Sequence, residues 1–287
     1  MTDHAKGLLI TILGVLFVIP DSLFVRLIDA DALTIAFWRM LNSGLIIGLG
    51  MLLLQGLSPF KAVLGTGWNG IIYGVCTGIS GVLFVLAISL TSVANVVFII
   101  ASMPIFASLF SRMFLGEPIT QRMVLTILAV VAGLGIIAYG SGETAGASWQ
   151  GDLLAVGVSA CFAAGLTAAR GVKHVSMVAA LPMSYVAVAV MIAPFAAPLN
   201  LPVDVAPLLA GHAGFIVIAS IFLALGPRYI TSAEVSLLVL VESVCAPVLV
   251  WAVLGEDPGG WALIGGAVVL GALFMSNLWV LMRRRRS

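Results

Sequence analysis

The chain has 287 residues, 62% of them hydrophobic and 9% charged, with a formal net charge of +1 and a mean hydropathy of +1.21. A soluble domain carries about 25% charged residues, so this composition excludes a sizeable soluble domain and points to a polytopic membrane protein. The near-zero net charge says nothing about partners, but the distribution of charge along the chain does.

Ten apolar segments, each bounded by Gly, Pro or charge, are predicted near 7–27, 33–54, 68–90, 93–115, 121–140, 152–170, 177–198, 206–226, 231–254 and 260–282. Each is close to the roughly 20 residues that cross a bilayer as a helix. Gly7–Pro20 followed by Ala30-Asp31-Ala32 superficially resembles a leader with a cleavage site. Asp21, Arg26 and Asp29 interrupt it and Lys6 is its only basic flank, so a retained spanning helix is expected. Pro20, directly before Asp21, is expected to weaken the local helix ladder. Asp21 and Arg39 each lie about six residues from the outer ends of their spans, roughly 9 Å deep at 1.5 Å per residue. If the two helices are antiparallel neighbours these side chains meet, either as a structural ion pair or as a gate or clamp on a zwitterionic solute.

A longer loop is expected over 55–67. Spans three and four are joined by the short turn Thr91-Ser92. Asn95 and Ser102, seven residues apart, share one face of span four, and each reads as interhelical glue or as a solute contact. Pro104 follows, and the span ends in Leu115-Gly116-Glu117, with Pro118–Thr120 as the next turn. The loops 141–151 and 199–205 carry no positive charge. His212, in the outer part of span eight, reads as a hydrogen-bonding partner.

Span nine opens with the capping-box pattern Thr231-x-x-Glu234, which marks a helix start and makes Glu234 a cap. Glu242 lies about halfway along it, where a carboxylate costs about 2.5–3.5 kcal/mol on insertion scales, so it should face a polar cavity. There it would accept a proton or a solute ammonium, or be tied to a neighbouring helix. Ser236 and Ser243 flank it, and a kink is expected at Pro247 before Leu254-Gly255-Glu256. Glu117 and Glu256 read as structural acids near the interface. Trp38, Trp68, Trp149, Trp261 and Trp279 fall near span ends, as an aromatic belt requires. The pairs Gly44-x-x-x-Gly48 and Gly74-x-x-x-Gly78, with Gly133 and Gly135, permit close helix approach within one subunit or, as the alternative, in a homodimer. Cys76, Cys161 and Cys245 lie in apolar runs, form no metal or disulfide spacing, and read as small buried hydrophobes.

With a cytoplasmic N-terminus, Lys6, Lys61, Arg112, Arg122, Arg170, Lys173, Arg228 and Arg283 to Arg286 fall inside. Only Arg26 and Arg39 of the 13 Lys and Arg fall outside. The positive-inside rule therefore places both termini in the cytoplasm, with the terminal Arg run as a topology anchor and not a nucleic-acid patch. The chain also repeats itself. The two Leu-Gly-Glu tags are 139 residues apart and the two Thr-Ser turns 140 apart. Five spans per half is an odd number, so the second half enters the membrane inverted. Such repeats occur in secondary transporters, with the site near the midplane between the halves. The expected fold is thus an all-α integral membrane protein of ten transmembrane helices. Its two inverted five-helix repeats cover 1–141 and 151–282, followed by a basic tail over 283–287.

Taken in order, Arg39 within AFWRML, TSVANVVF before Pro104, the two Leu-Gly-Glu tags and GDLLA opening span six resemble the EamA family of the drug/metabolite transporter superfamily, over nearly the whole chain. Many relatives read Leu-Glu-Pro in span nine, whereas here Ser243 follows Glu242 and the proline comes later, at Pro247. The resemblance implies a carrier of small metabolites, often amino acids, and favours export from a bacterial cell across its inner membrane. Asp21, Arg39, Asn95, Ser102, Glu242 and Ser243 are the candidate solute-binding residues. The expected partners are a small-molecule substrate, the bilayer and coupling protons, with no nucleic acid and no cofactor or metal. An enzyme is not expected: the chain contains no nucleotide-binding loop, zinc-protease motif or nucleophile elbow. A non-transporting membrane receptor or assembly protein is the alternative, with an intramembrane lipid-modifying enzyme behind it.

Overall fold

The computed structural model describes residues 3–116, 121–143, 148–199 and 205–284. These residues are helical, with no strand among them. Nine stretches of the described residues are helical, long and apolar enough to cross a membrane, and they coincide with the first nine predicted segments. The tenth segment falls on a helix whose described apolar part, Gly260–Met275, is shorter. Glu117, the turn over 118–120, much of the loops over 141–151 and 199–205, Arg285 and Arg286 lie outside the described residues, as do the side chains of Arg122, Trp279 and Arg283.

Proline decides where the first span breaks. α1 (Asp3–Val18) ends just before Pro20, and α2 (Asp21–Leu27) restarts immediately after it. Pro20 has no N–H for the ladder, yet its carbonyl accepts from Phe24 N at 3.0 Å and so begins the next helix. Asp21 therefore stands in the first turn of a helix, beside free backbone N–H groups and the positive dipole end. α3 (Ala32–Gln55) is capped by the Asp31 carboxylate, which accepts from Leu33 N and Thr34 N, and it stops at Gly56 with φ of 68°. The stretch expected as a loop over 55–67 contains a short helix, α4 (Ser58–Leu64), started by Pro59 and anchored by buried Val63. α5 (Trp68–Leu90) follows.

Span four is also divided, into α6 (Val93–Ile100), capped by Ser92, and α7 (Met103–Leu115), with Pro104 in its first turn. At the break, Ile99 O accepts from Ser102 N at 2.9 Å and from the Ser159 hydroxyl at 3.1 Å, so the disturbed ladder stays satisfied. α8 (Gln121–Glu143), α9 (Trp149–Gly171) and α10 (Ala180–Ile192) come next, the last preceded by a 3₁₀ turn over Met177–Ala179. α11 (Ala206–Leu225) leads through a 3₁₀ turn at Gly226–Arg228 to α12 (Ser232–Leu254). The capping box is present: Thr231 and Glu234 exchange side chain and backbone bonds. Pro247 lies inside α12 without ending it, unlike Pro104, and the helix runs on to Gly255 at φ of 70°. α13 (Gly260–Arg284) completes the chain.

The long helices pack in pairs: α1 on α11, α3 on α10, α5 on α9, α8 on α13, and α6 with α7 on α12. Several close approaches leave no room for a side chain at a glycine. A Cβ on Gly151 would sit 2.8 Å from the Thr91 side chain, and one on Gly7 would sit 2.6 Å from that of Tyr229. So α9 opens against the α5–α6 turn, and α1 opens against the turn before α12. Gly44, Gly48 and Gly78 face α10, and Gly133 crosses Gly265, all within one chain, while Gly135 faces open space. Leu53, Leu54, Trp68, Leu125, Trp149 and other large apolar side chains cover the outside of the bundle. Apolar side chains thus lie on the outside as well as in the core, as a lipid-facing surface requires. The three cysteines are free and only half-buried, more open than their apolar neighbourhoods imply.

Candidate functional site

Asp21 on α2 and Arg39 on α3 meet in the middle of the bundle. Arg39 Nε donates to Asp21 Oδ1 at 3.1 Å and Nη2 donates to Oδ2 at 2.6 Å, a two-pronged pair that fixes both planes. Asp21 is 2% exposed and Arg39 8%. A second cation-capable group reaches the same carboxylate: His212 Nε2 on α11 lies 2.6 Å from Asp21 Oδ1. Glu242, on α12, is 6% exposed and has no hydrogen-bond partner among the described residues.

A cavity of about 100 Å³ lies between these groups, lined by Asp21, Arg39 and Glu242 on one side. From there it extends toward the end of the bundle at which α5 and α10 begin and α9 and α11 finish, where Tyr73, Leu166, Leu181 and Ala224 line it. Phe84 and Phe162 add aromatic faces, and the Arg39 guanidinium lies 5.8 Å from the Phe84 ring centroid. The Tyr185 hydroxyl is 2.9 Å from the Ser220 hydroxyl, both on the cavity wall. The cavity therefore offers one paired cation, one unpartnered carboxylate and flat apolar walls. That combination suits a small solute with an apolar body and charged ends.

Asn95, Ser102 and Ser243 do not line this cavity. The Asn95 amide lies 3.2 Å from Asp152 Oδ1 and 2.6 Å from the Ser141 hydroxyl. Thr91 and Ser141 also donate to Asp152. This buried cluster ties α6, α8 and α9 together. Ser102 is within 3.4 Å of Ser159, and Ser243 donates to Val97 O at 2.8 Å, so both act across helix contacts around the break in span four. Asp152 was legible only as part of the GDLLA motif. Its sign in the sequence was a carboxylate in the first turn after Ser148, a helix-start position that hides its burial. The wall residues Tyr73, Thr77, Ser80, Gly81 and Phe84 carried a clearer sign, because their spacing puts them on one stripe of α5.

Charged contacts join the helices at the end of the bundle where α2 finishes and α6 begins. Arg26 Nε pairs with Glu256 Oε2 at 3.0 Å, and Arg26 Nη2 donates to Thr91 O at 2.9 Å. Glu256 Oε1 also accepts from Val93 N at 2.8 Å, so the acid after α12 caps the start of α6. At the opposite end, His4 Nε2 is 3.0 Å from Glu234, Lys6 lies over Tyr229, and Arg170 donates to Pro227 O. Among the described residues no group of three or more His, Cys, Asp or Glu is placed to hold a metal ion.

A helical bundle with an apolar exterior around a central cavity of buried charges is the build of a membrane solute carrier. Comparison with known proteins agrees. The sequence model of the EamA-like transporter family matches residues 5–139 and 149–278, and the chain belongs to that family, within the drug/metabolite transporter superfamily. Members of the family are transporters and not enzymes. A solved structure titled only "Crystal structure of protein" is similar in fold, with a TM-score of 0.70 at 19% identity over 99% of this chain and 100% of that one. No curated protein sequence matches the chain.

Proposed function

We propose that this protein is a secondary transporter that exports a small amphipathic, amino acid-like solute across the bacterial inner membrane by alternating access. It would do so with ten spans in two inverted five-helix halves, 1–141 and 151–282, and with both termini and the 283–287 tail in the cytoplasm. The observation that carries the reading is the cavity bounded by Asp21, Arg39 and Glu242. Arg39 receives the solute carboxylate by exchange with Asp21, Glu242 receives the ammonium, and the aromatic walls take the apolar body. Because Asp21 and Arg39 sit on different helices, making and breaking their pair moves α2 against α3 and serves as the gate.

The helix pairing supports the two-fold plan. Exchanging each span for the one five places on turns the pairing of span one with eight into that of six with three, and leaves two with seven, four with nine and five with ten unchanged. Charge supports the orientation: Lys6, Arg170, Lys173 and Arg228 gather at one end, while Arg26 is held at the other. The cavity extends toward the end proposed as cytoplasmic, and the Arg26–Glu256 cluster closes the other, an arrangement suited to loading from inside. Counterflow in proteoliposomes tests the function. Vesicles loaded with a mixture of unlabelled amino acids should accumulate labelled members of the same mixture, and no accumulation above protein-free vesicles would reject the reading.

A further inference from the structure

His212 is fully buried on α11, its ring stacked on Phe24 of α2 with centroids 5.4 Å apart. Nε2 lies against Asp21 Oδ1, and Nδ1 has no hydrogen-bond partner among the described residues. An imidazolium would bury a second N–H without an acceptor, so the ring in this arrangement is the neutral tautomer that donates Nε2–H to the carboxylate. Asp21 thus has two partners of different kinds: a permanently charged guanidinium that lines the cavity, and an imidazole behind it that does not.

The two Arg39 N–H groups that grip Asp21 are the ones a solute carboxylate in the cavity would take over. Asp21 would then be a buried anion without a cation, which is strongly disfavoured. The other charged or titratable groups facing it cannot fill the gap. Glu242 on α12 has the same sign, Tyr185 on α10 is a phenol engaged by Ser220, and Tyr73 of α5 stands toward the far end of the cavity.

We infer that Asp21 and His212 form a proton-accepting pair that is loaded when Arg39 leaves it. This rests on the transport reading above. Arg39⁺·Asp21⁻ plus a solute carboxylate and one proton becomes Arg39⁺·carboxylate plus a singly protonated Asp21–His212 pair, so the buried charge is the same before and after. The proton comes from cavity water to Asp21, which lines the cavity, forming one O–H or N–H bond, and it returns to water when Arg39 reclaims the carboxylate. Capture of an anionic group at Arg39 and capture of a proton are thereby the same event, and the coupling proton rides on this pair and not on Glu242.

The exchange can be read without any solute, by removing the guanidinium. Ring ¹⁵N spectra of the imidazoles, with His212 assigned by its loss in His212→Gln, should show one protonated and one bare nitrogen in the wild-type protein near neutral pH. In Arg39→Gln the pair should hold one proton more. It would appear as loss of the bare-nitrogen signal of His212 or as a protonated-carboxyl infrared band, and Asp21→Asn added to Arg39→Gln should abolish it. If Arg39→Gln does not fold, Arg39→Lys, whose single ammonium grips the carboxylate less well, should give a mixture of the two states as the pH is lowered. A wild-type neutral ring with no carboxyl band in the folded Arg39 variant would overturn the inference. That outcome leaves counterflow untouched, whereas absence of counterflow rejects the transport reading and leaves the ring chemistry standing.

Discussion

At the scale of single residues, the site is a balance of buried charge. Breaking a buried ion pair by removing one partner costs about 3–5 kcal/mol, while replacing both can be nearly neutral. Arg39→Gln is therefore expected to be destabilised by about that much relative to wild type. Asp21→Asn with Arg39→Gln should recover a large part of it, as measured by thermal unfolding of the purified protein in detergent. Additive losses in the double variant would argue against a direct pair. Glu242 makes no hydrogen bond among the described residues that Gln would lose, so Glu242→Gln should not destabilise the fold while abolishing counterflow of ammonium-bearing solutes. The meeting of Asp21 with Arg39 was readable in the sequence because both are charges at equal depth in successive apolar runs, and hydrocarbon leaves such charges few partners. The ends of Asn95, Ser102 and Ser243 were not readable. A neutral polar side chain on a spanning helix finds a neighbour as readily as a cavity, and only the packing of α6 on α9 and α12 decides which.

Among the elements, the crossing of α8 with α13 depends on Gly133 and Gly265. A Cβ on Gly133 would stand 2.9 Å from Gly265 O, a backbone atom that cannot step aside. Gly133→Ala should cost about 1–3 kcal/mol as an overpacked contact. Gly135→Ala, which faces open space, should change stability by no more than about 0.5 kcal/mol in the same unfolding assay. Equal effects at the two positions would refute the packing account. The sequence marks both glycines alike, and periodicity alone could not tell the helix-facing one from the lipid-facing one. The prolines show a similar limit. Pro20 and Pro104 interrupt their spans, yet Pro247 does not interrupt α12. Ser243, beside Glu242 in α12, keeps its N–H and donates its hydroxyl to Val97 O. The helix over 58–64 escaped a reading by hydropathy because seven residues are too few to show a period, and tertiary packing of Val63 holds it.

For the whole molecule, the apolar exterior and the long spans were legible from composition alone, since lipid admits almost nothing but helices with satisfied backbones. The cavity was legible only as an expectation that charges should gather, and its walls needed the pairing of helices from both halves. The account holds that this cavity carries a solute from the cytoplasmic side, using Glu242 as the acceptor of its positive end. Release of labelled amino acids from preloaded cells tests this most directly, comparing wild-type protein with Glu242→Gln at equal membrane abundance. The account predicts release by the wild type and release no faster than cells lacking the protein for the variant. Equal release by both, or none by either, would contradict it.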